Sequence, residues 1–155
     1  MDIISNRTKD IVEMALDGLY ERSKAISSNT VNALTPNYQR KEVSFEGSLR
    51  EIIKREDEKE QAKLQNSAFF QKNPTEALKS KSPAELSLLA TETREGFNID
   101  IEADISDPVD SDGNNVSIER EMMDEAKNGM QYQVLTNLMS KQYQGLRSII
   151  TGQNS

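Results

Sequence analysis

Asp110, Asp112 and Glu119 fall at the spacing of part of a calcium-binding loop if Gly113 takes the glycine position that gives such loops their sharp turn. Carboxylate oxygens suit a hard cation, so calcium is the chemistry to weigh first. Two features count against it: Pro108 occupies the first ligand position, and a strand rather than a helix is expected upstream. The simpler reading is a solvated acidic turn leading into an N-capped helix. Glu119 and Asp124 can be drawn as a general acid and base, but a chain with 26 acids makes such pairs inevitable. The chain has no cysteine and no histidine. That excludes disulfides, thiol nucleophiles, zinc sites of the Cys/His type and every triad built on an imidazole. It has no glycine-rich phosphate loop and no dinucleotide fingerprint. No catalytic residue, metal ligand or cofactor is therefore assigned, and the expectation is a protein that is not an enzyme.

The elements that would carry these residues are mostly helical. Ile4 to Ala33 reads as one long amphipathic helix, with Ile4, Ile11, Ala15, Leu19 and Ile26 on one face at intervals of seven and four. Thr35-Pro36-Asn37-Tyr38 ends it. Proline then asparagine suits the two central positions of a tight turn, because asparagine tolerates the left-handed conformation. Lys41 to Phe45 alternates as a short extended piece with Val43 and Phe45 on one side. A charged helix is expected over about 48–65 and a loop from Asn66 to Ser80. Ser82-Pro83-Ala84-Glu85 is a capping box with proline at the first helical position, which predicts a short helix over about 83–95 stopped by Gly96. Phe97, Ile99, Ile101, Ala103 and Ile105 alternate with polar residues and predict a half-buried strand over about 97–105. Ile118 to Ile150 is the second long helix, with Ser117 as its cap and Glu119 and Glu121 in its first turn. Met123, Ala126, Met130, Val134 and Leu138 form one row on it, beside Leu135, Met139, Leu146 and Ile149. Gly129 and Gly145 sit inside it and point to close helix–helix approach.

The fold class expected is mainly α: two long terminal helices packed as an elongated, coiled-coil-like pair, with a small extended and short-helical middle. Residues 1–34 plus 117–152 form the terminal helical module, and 35–116 the middle region. Apolar residues make up 35% of the 155 and aromatics 5%, few for a compact core. Such a chain suits an elongated fold whose apolar stripes are finished by neighbouring chains. A net charge of −7 argues against binding nucleic acid or an anionic lipid surface, both of which need a basic face. No stretch approaches the ~20 apolar residues that span a bilayer, and the first eight residues lack the pattern of a secretory signal.

The residues at the exit of the first helix, Asn29-x-x-Asn32-Ala33-x-Thr35-Pro36-x-Tyr38, resemble the N-terminal signature of the bacterial flagellar axial proteins, the rod and hook group. Asp112-Gly113-Asn114-Asn115-Val116, Glu119-Arg120-Glu121, Asn128 to Gln133 and Leu146-Arg147 resemble the proximal-rod members of that group. The chain departs from the pattern at Asn37, where glycine is usual, and at Thr30 and Val31. The stretch from Lys54 to about Ser80 has no counterpart. The resemblance implies a structural subunit of the proximal rod, exported without a cleaved signal peptide to the basal body in the periplasmic space. The partners it implies are copies of itself, other rod proteins, the membrane (MS) ring with a rod-base adaptor, and the flagellar type III export apparatus. It implies an assembly interface at Asn29, Asn32, Thr35, Pro36 and Tyr38, with Tyr132, Gln133, Met139 and Leu146 opposite. The competing reading is a soluble helical adaptor or flagellar export chaperone, which would have no reason to carry the Asn/Thr-Pro/Tyr exit.

Overall fold

The computed structural model describes residues 6–72, 94–104 and 109–151. Their order is α1 (Asn6–Val31), β1 (Lys41–Ser44), α2 (Glu46–Lys72), β2 (Asp100–Ala103) and α3 (Ile118–Thr151). Both long terminal helices are present, and they pack against each other in antiparallel fashion: Asn29 meets Glu121, while Leu19 meets Asn128. Helix α1 is the centre of the fold. Ala15, Leu19 and Ile26 of its expected face are buried, and so are Val12, Met14 and Ala25 on adjacent faces, because α1 is packed against α2, β1 and α3.

The turn after α1 forms as its residue types require. The Tyr38 N–H donates to the Thr35 carbonyl at 3.2 Å, Pro36 takes the second position, and Asn37 sits at φ 59°. Positive φ is the conformation that glycine or asparagine supplies at the third position of such a turn, so Asn37 substitutes for glycine without changing the geometry.

Strands β1 and β2 pair antiparallel, Lys41 with Ala103 through Ser44 with Asp100. Val43 and Phe45 are both buried, as the alternation requires. They join Leu19 and Ala25 in the core, against which Leu49, Phe97, Ile99 and Leu135 pack. The outer edge of β1 is sealed by side chains of α1. The Asn29 amide accepts from the Lys41 N–H at 2.9 Å and donates to the Lys41 carbonyl at 2.8 Å, as a neighbouring strand would. One heptad earlier, the Arg22 guanidinium donates to the Val43 carbonyl at 2.9 Å and lies 4.8 Å over the Phe45 ring.

Two expectations need correction. Helix α2 runs over 46–72, so the helix expected over 48–65 is too short and the loop expected from Asn66 begins too early. Nothing between Asn66 and Lys72 breaks a helix. The strand expected over 97–105 covers only 100–103, and all four of its residues are exposed. It pairs with β1 but no described helix packs closely behind it, and Ile101 opposite buried Val43 stays 55% exposed. Phe97 and Ile99 reach the core from the turn ahead of the strand. The short helix expected over 83–95 lies outside the described residues but for its end, where Arg94–Gly96 form a turn with Gly96 at φ 84°.

Gly18 and Gly129 give opposite predictions. A Cβ on Gly18 would lie 2.6 Å from Cδ1 of Phe45, whereas one on Gly129 meets nothing within 4 Å. Gly18→Ala gains about 1 kcal/mol of helix propensity but overpacks the core by about 1–3 kcal/mol. Its melting temperature should fall and recover partly when Phe45→Leu is added. Gly129→Ala should melt higher than the parent.

The start of α2 sets an acid limit. The Glu46 carboxylate accepts from Arg22 at 2.5 Å and from the Phe45 N–H at 3.2 Å. Burial pushes this carboxyl up, but the hydrogen bonds from Arg22, from its own N–H and from Phe45, together with the Arg22 charge, outweigh burial and hold it below the usual range. A depressed folded value means stability that is present above the ordinary carboxylate range and lost as pH falls through the lowered value. Thermal melts between pH 7 and pH 3 should show the parent losing more stability on acidification than Glu46→Gln.

Candidate assembly site

The signature at the exit of α1 docks onto the segment just before α3, about eighty positions later in the chain. Asn114 carries most of this junction. Its Nδ2 lies 2.9 Å from the Asn32 carbonyl, 3.1 Å from that of Ala33 and 2.9 Å from that of Thr35. These carbonyls lie just past the end of α1, and those of Asn32 and Thr35 accept in addition from the Thr35 and Tyr38 N–H groups. The Asn37 N–H donates to the Asp112 carbonyl at 3.0 Å. Gly113, at φ 84°, lies so close that a Cβ there would come 2.5 Å from Asn37 Oδ1.

This docking also explains the calcium-like spacing. Asp110 Oδ1 accepts from the Ser111 N–H at 2.8 Å and Asp112 Oδ1 from the Asn114 N–H at 3.1 Å. Both carboxylates fold the turn. Glu119 points instead to Ser117, whose Oγ lies 3.1 Å from Glu119 Oε2 and 3.4 Å from the Arg120 backbone nitrogen. Bonds from its own N–H and from Ser117 lower the Glu119 carboxyl, as expected at a capped helix N-terminus. Among the described residues no group of three His, Cys, Asp or Glu side chains is placed to hold a metal.

Behind the junction lies a buried ionic cluster. Arg40 is 4% exposed and Glu121 fully buried. Arg40 Nε donates to Glu121 Oε1 at 2.6 Å, Nη1 to Asp104 at 2.9 Å and Nη2 to Asp124 at 3.1 Å. Its backbone N–H donates to Asn115 Oδ1 at 2.6 Å and its carbonyl accepts from the Asp104 N–H at 2.8 Å. Burial works against the Arg40 charge, but the hydrogen bonds to Glu121 and Asp104 and the charges of Glu121 and Glu42 outweigh it and raise the guanidinium further. The second oxygen of Glu121 accepts from Asn29 Nδ2 at 3.1 Å, and the Asn29 oxygen accepts from the Tyr38 hydroxyl at 3.2 Å. Thus one network ties α1, the turn, both strands and α3.

The residues singled out in the sequence divide into two sets. Asn29 is buried, and both ends of its amide are bonded within the chain. Asn32 donates to the Ser28 carbonyl at 2.8 Å and accepts from Thr35 Oγ1 at 3.2 Å. Tyr38 is half-buried over Ser28. Thr35, Pro36, Tyr132 and Gln133 are exposed and Met139 is half-buried; Leu146 lies on α3, with its side chain outside the described residues. The structure brings the α1 exit together with Asp112–Asn115 and Glu121, while Tyr132, Gln133 and Met139 lie further along α3. Arg40 and Asp104 were not singled out, because no spacing rule links side chains so far apart. A signal for Glu121 did exist: Glu121, Asn128, Leu135 and Gln142 recur every seven residues.

Glu121 and Asn128 are buried on this row and Leu135 packs against the core, so the buried members of the seam of α3 are polar. Asn128 Nδ2 donates to the Leu19 carbonyl at 2.9 Å. The apolar row faces outward: Met130 is 67% and Val134 66% exposed, with Met122, Met123 and Leu138 also open. Gly129 and Gly145 have open space around them within the chain, so the close approach expected there is not to α1. No described helix is long and apolar enough to cross a membrane.

No protein-family model matches the chain. Curated proteins do, along nearly their whole length. The flagellar basal body rod protein FlgB of Bacillus subtilis is 28% identical over 152 residues, 98% of this chain and 98% of its own. That of Escherichia coli is 26% identical over 140 residues, 90% of each chain. That of Borreliella burgdorferi is 27% identical over 144 residues, 93% of this chain and 96% of its own.

The cluster predicts a steep response to loss of one partner. Arg40→Met should cost about 3–5 kcal/mol in urea unfolding, since it strands buried carboxylates. Arg40→Lys should fall between it and the parent, because an ammonium cannot reproduce the three-way fork. If Arg40→Met unfolds at the parent's urea midpoint, the cluster does not hold the termini together.

Proposed function

We infer that this chain, a homologue of the FlgB rod proteins, is a structural subunit of the flagellar basal-body rod, in its proximal part. The observation that carries the reading is agreement with those proteins over nearly the full length of both chains. The protein is structural and not an enzyme. Its contribution to function is shape and stiffness.

The geometry supports a specific route to assembly. The terminal helices, residues 1–34 with 117–152, act as one module held by the Arg40–Glu121–Asn29 network. The module bonds the Asn29 amide, Glu121 and the Asn128 Nδ2 internally, with Asn128 Oδ1 left without a partner, and leaves an apolar stripe on α3 for a neighbour. Each Met, Val or Leu of that stripe gains about 1.5–3 kcal/mol when fully buried, so a few of them suffice to drive packing between subunits. Thr35, Pro36, Tyr132, Gln133, Met139 and Leu146 make direct contacts in this reading. Asn29, Asn32 and Tyr38 serve by fixing the turn that presents them. The neighbours are copies of this chain and other rod proteins, and at the base the MS ring and its adaptor. The flagellar type III export apparatus delivers the subunit to the periplasmic part of the basal body.

Deletion with complementation tests the reading. Loss of the protein should leave cells non-motile and without rods. Met130→Asp with Val134→Asp should fail to restore motility while the purified subunit melts within a few degrees of the parent, since both side chains are already exposed. Motile deletion cells with complete rods would overturn the reading.

A further inference from the structure

The two edges of the small sheet are treated differently. In an antiparallel pair, residues alternate between those whose N–H and C=O point to the partner strand and those whose groups point away. Lys41 and Val43 point away from β2, and α1 takes up the Lys41 N–H and C=O through Asn29 and the Val43 C=O through Arg22. The register pairs them with Ala103 and Ile101, whose N–H and C=O must therefore point away from β1. The bond from the Asp104 N–H to the Arg40 carbonyl fixes the same parity one step along. No hydrogen bond is made by the backbone of Ile101 or Ala103 among the described residues. β2 thus offers a row of unsatisfied donors and acceptors, while on β1 three of the four outward groups of Lys41 and Val43 are bonded by α1.

The side chains along this edge say what fits. Ile101 presents an exposed aliphatic surface on one face. Asp100 and Glu102 stand exposed on the other, and neither has a cation within ion-pair distance among the described residues. Glu42 is opposite Glu102 on the same face. A second copy of β2 laid antiparallel would set acid against acid, which destabilises a cross-strand pair, so the edge is charged against its own copy. A strand that alternates lysine or arginine with aliphatic residues meets both faces.

We propose that the outer edge of β2 is a docking site for an extended segment of a different protein chain, basic on one face and aliphatic on the other, which adds a third strand to the sheet. Main-chain bonds to Ile101 and Ala103 would supply the attachment and Asp100 and Glu102 the selectivity. This goes beyond the rod reading and does not depend on it, because it can be tested on the purified monomer.

The probe is the peptide acetyl-Ala-Lys-Val-Lys-Val-Lys-Ala-amide, added to the full chain and followed by amide NMR and hydrogen exchange. The Ile101 and Ala103 amides should shift and become protected. The same peptide with glutamate for lysine should leave them unchanged. Ala103→Pro removes one outward N–H, and Glu102→Lys reverses the charge. Either should abolish the shifts, and Glu102→Lys should keep the parent's melting temperature, so that it serves if the proline variant fails to fold. Protection of other amides instead, equal binding of the glutamate peptide, no response to the lysine peptide, or undiminished binding by Glu102→Lys would each overturn the proposal.

Discussion

Among the contacts that join the first half of the chain to the last helix, the Arg40 guanidinium reaches the most partners. It touches Glu121 and Asp124 of α3 and Asp104 beyond β2, while its own backbone bonds to Asn115 and Asp104. A buried ion network is weak evidence for net stability, since desolvation consumes most of the attraction. Its value lies in geometry. Three carboxylates can share one planar cation in few ways, and each way fixes where α3 lies against the exit of α1. Asn29 then couples that arrangement to the sheet, using the opposite end of its amide to hold Tyr38 and Lys41.

The distribution of polar and apolar residues on α3 is the reverse of an ordinary core helix. Its buried seam positions include Glu121 and Asn128, while Met122, Met130 and Val134 face outward. A helix normally turns its apolar stripe to the core of its own chain. Here hydrogen bonds and charge make the internal contact, and the apolar surface is left over. That division suits a subunit whose hydrophobic contacts belong to its neighbours, and it accounts for a chain with so few aromatic residues.

Much of this was legible in the residues, and the illegible parts have physical reasons. The long helices, the Pro36-Asn37 turn, the Ser117 cap and the burial of Val43 and Phe45 all rest on local rules, and all appear. The end of α2 was missed because amphipathic period fades after Lys54 although no proline or glycine interrupts the helix between there and Lys72. Strand β2 was drawn too long and too buried because alternation reports a pattern and not what stands behind it. Asn29 and Asp112–Asn115 were visible as signatures, but their docking was not. Arg40 with Glu121 was invisible as a pair, since contacts across eighty positions leave no period in the sequence. The calcium-like spacing of Asp110 and Asp112 proved to be turn chemistry.

The polar seam has a mechanical corollary. Two apolar helices in contact can creep along each other in small steps, because greasy surfaces cost little to misalign by a fraction of a turn. The contacts of Glu121 with Asn29 and of Asn128 with the Leu19 carbonyl are directional and tolerate little displacement. They act as detents. Under shear the helix pair holds its register until a buried bond breaks, so small twisting loads are borne elastically and released without slip.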